Sequence, residues 1–111
     1  MTYEKEPKYM TKKERRAIAR QPMPEQNPHI RNKDFSEVTL GFDLTRAQHE
    51  AARCIECKDP ACTKGCPVGI DIKGFLSQIV EGDLDGAIHT VWEKTALPAV
   101  CGRVCPQEIQ C

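Results

Sequence analysis

Two adjacent stretches in the C-terminal half of the chain carry apolar residues at helical spacing. The first stretch begins at Ile72 and the second ends at Trp92, with Gly82 and Asp83 between them. The two apolar stripes consist of Ile72, Phe75, Leu76, Ile79, Leu84, Ala87, Ile88, Val91 and Trp92. Because glycine often ends a helix and aspartate often caps the next one, the pattern predicts two helices that form an antiparallel hairpin.

Two capping signals predict helices nearer the N-terminus. Thr11 is followed three residues later by Glu14, which is the spacing of a capping box, and a helix is predicted over about residues 12–20. Thr45 and Gln48 repeat that spacing at the start of a second amphipathic stretch. This second helix is predicted to deliver the first cysteine of the chain at its C-terminal end.

The remaining segments lack a clear period. Residues 21–29 contain three prolines within seven residues and are predicted to form an extended linker. Residues 34–43 are compatible with a short strand or an extended segment, and residues 55–69 show no regular period. Pro98 is predicted to open a last short helix. Since no convincing pair of strands is found, the predicted fold class is all-α.

Charge divides the chain into two parts. The net charge is zero, but residues 1–33 hold nine Lys and Arg against four Asp and Glu, whereas residues 34–111 hold seven against twelve. We therefore predict a basic N-terminal arm over 1–33 and an acidic body over 34–111. The arm lacks interleaved aromatic residues, which favours a docking extension over a nucleic-acid-binding segment. With no apolar run of membrane-spanning length and no secretory leader visible, we expect a cytoplasmic protein without membrane partners.

Seven cysteines are the most informative feature of the composition. Four of them lie within thirteen residues, separated by two, four and three residues, and the last of the four is followed by Pro67. The others lie near the C-terminus. The cysteines are Cys54, Cys57, Cys62, Cys66, Cys101, Cys105 and Cys111. Aromatic residues are scarce, and an odd number of cysteines in a reducing cytosol argues against a disulfide framework and for metal or redox chemistry.

Three kinds of cysteine chemistry remain open at this point. A [4Fe–4S] cluster needs four soft anionic ligands, often three from one loop and one from far along the chain, and bacterial ferredoxins also place a proline after their last cysteine. A structural zinc site favours a second Cys-x2-Cys pair or histidines at suitable spacing, and His29, His49 and His89 are scattered. A redox dithiol would need Cys54 and Cys57 at a helix N-terminus, but they follow a helix. The spacing favours iron and sulfur.

The two cysteine strings resemble a known family. They read RCIECKDPACTKGCPVGIDIKGFL and ALPAVCGRVCPQEIQC, and the leader ARQPMPEQNPHIRNKDFSEVTLGF is similar as well. They resemble the N-terminal iron–sulfur domain of NAD(P)H-dependent flavin oxidoreductases, whose members include the glutamate synthase small (β) subunit, the ferredoxin:NADP oxidoreductase large subunit and dihydropyrimidine dehydrogenase. The resemblance implies an α-helical ferredoxin fold with two [4Fe–4S] clusters.

The resemblance also implies a division of the ligands. Cys54, Cys57 and Cys62 match three ligands of one cluster, and Cys66, Cys105 and Cys111 match three of the other. The family pattern continues past Cys111 with Glu-Gly-x-Cys, so the domain is expected to be truncated at its C-terminus, with each cluster short of a ligand. The chain alone is therefore expected to be metal-free, partly loaded or zinc-bound. Cys101 occupies a family position without an established ligand role.

Two classes of function follow from these expectations. The first is an electron-transfer domain, with FAD and NAD(P)H bound in domains that lie outside this sequence and a partner such as a glutamate synthase large subunit. The second is a metal-stapled structural or docking module without electron transfer. A zinc protein that uses the basic arm to bind nucleic acid is a weaker third class. No catalytic acid or base is predicted, so the chain is not expected to be an enzyme by itself; Arg103 and Glu108 are candidates for polar contacts beside the cysteines.

Overall fold

A computed structural model describes residues 6–111, and every regular element within that range is helical. A 3-10 turn over Pro7–Tyr9 precedes eight α-helices. The helices are α1 Lys12–Ala17, α2 Pro28–Arg31, α3 Leu44–Ala51, α4 Ala61–Gly65, α5 Ile72–Glu81, α6 Leu84–Trp92, α7 Pro98–Val104 and α8 Gln107–Gln110. The predicted all-α class is confirmed. No helix within residues 6–111 has the length and apolar character needed to cross a membrane.

The hairpin predicted from the apolar stripes is formed by α5 and α6, which pack against each other. The Asp71 carboxylate accepts the Gly74 N–H at 3.0 Å at the start of α5. Gly82 ends that helix with φ 83°, a left-handed conformation that glycine adopts without steric cost. The Asp83 carboxylate then accepts the Gly86 N–H at 2.9 Å and caps α6. The predicted end of the first helix at Gly82 and the predicted cap of the second helix at Asp83 are both confirmed.

Helix α5 lies at the centre of the packing, in contact with α3, α4, α6 and the 3-10 turn. The buried apolar residues of the described chain are three alanines, Ala51, Ala52 and Ala87. No large side chain in residues 6–111 is fully buried. The core is therefore thin, as the scarcity of aromatic residues predicts, and it offers little apolar burial to stabilise the fold.

The start of α3 differs from the prediction. The helix begins at Leu44, and the Asp43 carboxylate caps it by accepting the Arg46 N–H at 2.8 Å. The capping box predicted at Thr45 and Gln48 is wrong, because Asp43 reaches the free amide first and leaves that pair inside the helix. Gln48 instead donates its side-chain amide to the Ile79 carbonyl at 3.3 Å, which joins α3 to α5.

The capping box predicted at Thr11 is present. The Glu14 N–H donates to the Thr11 hydroxyl at 3.3 Å, and the Thr11 N–H donates to the Glu14 carboxylate at 2.6 Å. The helix ends at Ala17, three residues short of the predicted 12–20. The Ile18 backbone turns extended there, with ψ 125°, so the chain leaves the helix early.

Two short helices were not predicted. In the linker predicted over 21–29, Asn27 accepts the His29 N–H at 2.9 Å and Pro28 takes the first helical position of α2. In the cysteine loop predicted to lack regular structure over 55–69, Ala61–Gly65 forms α4. Residues 34–43 form no strand; the segment contains bends and a left-handed Gly41 with φ 69°.

The basic arm packs on the helical body. Gln21 is buried, and its backbone N–H donates to the Glu50 carboxylate of α3 at 2.8 Å. Arg15 is buried as well. The proposed division at residue 33 remains a prediction, but at these two points the arm is part of the packed structure.

Candidate metal centre

Residues 52–70, here called the first cysteine segment, contain four half-buried cysteines. Cys54 follows the end of α3, and its N–H donates to the Ala51 carbonyl at 3.0 Å. Cys62 lies in α4, and Cys66 closes that helix by donating its N–H to the Cys62 carbonyl at 3.1 Å. Two helix ends thus fix the backbone on either side of the loop that carries Cys57.

The Cys66 sulfur lies among backbone N–H groups. The Ile70 N–H is the main cause that lowers the pKa of the Cys66 thiol; burial opposes it, and the Val68 and Gly69 N–H groups add smaller contributions in the same direction as Ile70. Backbone N–H groups carry partial positive charge and stabilise a thiolate. Hydrogen bonds to sulfur also tune iron–sulfur clusters, so the surroundings of Cys66 suit a metal-bound sulfur.

Residues 98–111, here called the C-terminal cysteine segment, are more open. Cys101 lies in α7 and is half-buried, with its sulfur 3.7 Å from the Thr95 hydroxyl. Cys105 and Cys111 are exposed. The Cys105 N–H donates to the Cys101 carbonyl at 3.0 Å, which places Cys105 at the end of α7.

The end of the C-terminal cysteine segment lies against α4. A Cβ atom on Gly65 would stand 2.5 Å from the Gln110 carbonyl oxygen and 3.2 Å from the Cys111 Cα. Only a residue without a side chain allows this approach. The backbone of Cys111 therefore lies beside the residue that precedes Cys66, although 45 positions separate the two cysteines along the chain.

The structure does not assemble the six predicted ligands into one finished site. All seven cysteines are free thiols. Within the described residues, no group of three or more Cys, His, Asp or Glu side chains has the arrangement that holds a metal ion. The ligand assignments for Cys54, Cys57, Cys62, Cys66, Cys105 and Cys111 therefore remain predictions. Free thiols and N–H donors around Cys66 are the right groups for a cluster, and metal binding often completes such sites.

The polar candidates and the histidines have other contacts. Arg103 forms an ion pair with Glu37, with its Nε 2.7 Å from the carboxylate, and also donates to the Ala99 carbonyl at 3.0 Å. The His89 Nδ1 lies 2.6 Å from the Asp85 carbonyl, and its ring meets Trp92 edge-on. Glu108 is exposed. Arg103 thus ties α7 to the segment before α3.

One residue with a place at the site was missed from the sequence. The Arg15 guanidinium donates to the Cys54 carbonyl at 3.0 Å. Nothing in the sequence indicates this contact, because Arg15 lies 39 positions before Cys54 in a basic helix where several arginines and lysines look alike. The contact appears only in the folded chain, where the Arg15 side chain reaches the carbonyls that follow α3.

Comparison with known families shows which kind of domain carries this cysteine pattern. Residues 31–111 match the family described as dihydropyrimidine dehydrogenase domain II, 4Fe-4S cluster. This chain belongs to that family. The match contains all seven cysteines, so the resemblance seen in the sequence is confirmed and residues 31–111 are a domain of the 4Fe–4S type.

Individual relatives agree with the family. The chain is 37% identical over 92 residues to the glutamate synthase [NADPH] small chain of Azospirillum brasilense, covering 82% of this chain and 19% of the relative. It is 40% identical over 89 residues to the NAD-dependent dihydropyrimidine dehydrogenase subunit PreT homolog of Salmonella typhi, covering 80% and 20%. A putative oxidoreductase of Escherichia coli, UacF, is 34% identical over 82 residues, covering 73% and 13%. The chain thus spans about a fifth of the length of the first two relatives.

Proposed function

We propose that this chain is the electron-transfer domain of an NAD(P)H-dependent flavin oxidoreductase of the glutamate synthase type. The observation that carries the proposal is the family match over residues 31–111, which includes every cysteine of the chain. Relatives named as an NADPH glutamate synthase and an NAD-dependent dihydropyrimidine dehydrogenase subunit support the nicotinamide partner. FAD and NAD(P)H would bind to other domains of the same protein, and the electrons would pass to a partner such as a glutamate synthase large subunit.

Within this proposal the full-length protein holds two [4Fe–4S] clusters, to which this chain contributes ligands. Cys54, Cys57 and Cys62 would bind one cluster. The other cluster would be bound by Cys66, Cys105 and Cys111. When bound, such a cluster accepts and gives up one electron at a time, and the protein sets its potential through ligands, burial and hydrogen bonds. The approach of Cys111 to Gly65 supports placing Cys66 and Cys111 in the same group.

Residues of this chain would bind the clusters and hold the ligand side chains in position. The ends of α3 and α4 fix Cys54 and Cys66, and the Ile70 N–H group faces the Cys66 sulfur. These hydrogen-bond donors are already in place without metal, and they stabilise negative charge on the sulfur. No acid or base is required of the chain, because electron transfer through it makes and breaks no bond to hydrogen.

A structural module stapled by metal is the second candidate. The observation that favours it is the thin core, whose buried apolar residues in the described chain are alanines alone. A domain with so little apolar burial gains much of its folding free energy from metal binding. In this reading the cysteines hold the fold together and little electron transfer occurs.

Anaerobic loading tests the proposal. A version of this chain that continues past Cys111 through the further ligands implied by the family pattern is incubated with iron, sulfide and a thiol reductant, and is the loaded protein of the experiments below. It should bind iron and sulfide in equal amounts and absorb broadly near about 400 nm, with bleaching by dithionite. A colourless protein that retains only zinc would contradict the electron-transfer function. A coloured protein that dithionite leaves unchanged would favour the structural module.

Cysteine variants of the loaded protein test the two-cluster assignment. Cys57→Ser and Cys66→Ser should damage different clusters, which electron paramagnetic resonance of the reduced protein and iron counts can separate. Cys101→Ser is the matched control and should change little. If Cys57→Ser and Cys66→Ser abolish the same signal, the division is wrong, and Cys101 becomes the candidate replacement ligand.

A further inference from the structure

Arg15 is a charged residue inside the packed structure. Only 3% of its surface is exposed, whereas its neighbour Arg16 in the same helix is exposed. Burial of a guanidinium is costly unless polar groups surround it. The position of Arg15 therefore depends on the partners that the first cysteine segment provides.

Those partners lie around the end of α3. The Arg15 Nη1 donates to the Cys54 carbonyl at 3.0 Å and lies 3.5 Å from the Ala52 carbonyl. Its Nη2 donates to the Pro7 carbonyl at 2.7 Å. The Ala52 and Cys54 carbonyls lie just beyond the C-terminal end of α3, where the partial negative charge of the helix dipole favours a nearby cation. Arg15 occupies that position.

The fourth partner is Glu56, between Cys54 and Cys57. The Arg15 Nη2 lies 3.4 Å from its carboxylate. Glu56 has φ 51°, the one positive φ at a residue other than glycine in residues 6–111. Such a conformation is unfavourable for a residue with a Cβ atom and persists when surrounding contacts hold it. The ion pair with Arg15 is a contact of that kind.

We propose that Arg15 is a positioning residue for the first cluster, one that fixes the backbone from Cys54 to Cys57 and places a buried positive charge beside it. The inference rests on the proposed function for its electronic part, because reduction adds a negative charge to a cluster. A nearby cation stabilises the reduced form and raises the reduction potential, whereas a nearby carboxylate lowers it. Arg15 and Glu56 therefore act on the potential in opposite directions.

Reduction potentials of the loaded protein test the charge. Arg15→Gln should shift one of the two cluster midpoints to a more negative potential and leave the other in place. Glu56→Gln should shift the same midpoint to a less negative potential. Arg15→Lys keeps the charge and should restore the midpoint. Arg16→Gln removes the same charge from the exposed neighbour and should leave both midpoints unchanged.

Amide exchange of the metal-free protein tests the positioning without any cluster. Arg15→Gln should raise the exchange rate of the amides from Cys54 to Cys57 by about tenfold, the effect of losing charge-assisted hydrogen bonds. Arg15→Lys should restore only part of the protection, because an ammonium group lacks the planar fork. Arg16→Gln should match the unmodified chain.

The outcomes separate this inference from the proposed function. An extended version that never takes up a cluster contradicts the proposed function, and amide exchange alone then decides whether Arg15 is a positioning residue. Midpoints that shift in the same direction in Arg15→Gln and Glu56→Gln would show general loosening and would overturn the charge role. If Arg15→Gln loses its cluster, Glu56→Gln still gives the sign of the charge effect. Equal exchange in Arg15→Gln and Arg16→Gln would overturn the positioning.

Discussion

The first and the C-terminal cysteine segments differ in what holds them. The first segment packs against α5 through α4, accepts hydrogen bonds from Arg15, and keeps its four cysteines half-buried. The C-terminal segment leaves Cys105 and Cys111 exposed, and its Ile109 side chain is 82% exposed. It contacts the rest of the chain at Gly65 and through the ion pair of Arg103.

The comparison shows that the spacing of cysteines in the sequence does not determine how firmly the fold holds them before metal binds. Both segments carry cysteines followed by proline, at Pro67 and Pro106, and both belong to the same family match. In the first segment a distant side chain, that of Arg15, donates hydrogen bonds to the backbone, whereas the C-terminal segment meets distant residues through the Arg103 side chain and the close approach at Gly65. We infer that the first segment is largely arranged before metal binds, whereas the C-terminal segment gains most of its order from the metal.

Loading with iron and sulfide should produce the largest effect on this difference. Amide protection in residues 98–111 should rise by at least about tenfold on loading, because local opening there becomes coupled to ligand binding. Residues 52–70 should gain less. The measurement is hydrogen exchange of the metal-free and loaded chains under identical anaerobic conditions. Equal gains in both segments would show that they are equally preorganised.

Gly65→Ala should break the contact between the two segments. The added methyl would stand 2.5 Å from the Gln110 carbonyl oxygen, so backbone must move. We expect a loss of about 1–3 kcal/mol in the free energy of unfolding, measured with urea. Oxidative cross-linking of Cys66 to Cys111 in the metal-free chain should also slow.

Gly102→Ala is the matched control for that variant. A Cβ on Gly102, within α7, would meet nothing within 4 Å. Alanine is a better helix former, so this change should be neutral or stabilising by about 0.5–1 kcal/mol. If both alanine variants behave alike, the approach of Gln110 to Gly65 is not a constraint on the C-terminal segment.

Arg103→Gln should have the smallest effect. Its ion pair with Glu37 joins side chains that are 51% and 56% exposed, and exposed pairs contribute about 0.2–1 kcal/mol. A double-mutant cycle with Glu37→Gln should give a coupling energy in that range that falls as salt is added. A larger, salt-independent coupling would mean that the C-terminal segment is anchored more firmly than its exposure indicates.

The sequence predicted those elements whose signals are local. The α5–α6 hairpin followed from apolar spacing and the Gly82–Asp83 pair, and the helix at Pro98 followed from the proline itself. The cap of α3 was misplaced because two capping signals, Asp43 and Thr45, lie two residues apart. Helix α4 was missed because prolines and glycines surround its five residues.

The site was predictable in part. The six cysteines could be named from their spacing and the family resemblance, and the family itself is confirmed. Their grouping into two clusters stays a prediction, and it depends on approaches such as that of Gln110 to Gly65, which no local pattern encodes. The Arg15 contact could not be predicted for the same reason, since it joins residues 39 positions apart in the chain.

The alanine core has a thermodynamic consequence. Unfolding a chain whose buried apolar side chains are mostly single methyl groups exposes little new apolar surface, so its heat-capacity change should be small for its length and its stability curve shallow. Metal-free chains would then unfold over a broad range of temperature, without a sharp midpoint. In a cell, unfolded chains are degraded, and the half-life of this domain would follow the supply of iron and sulfide.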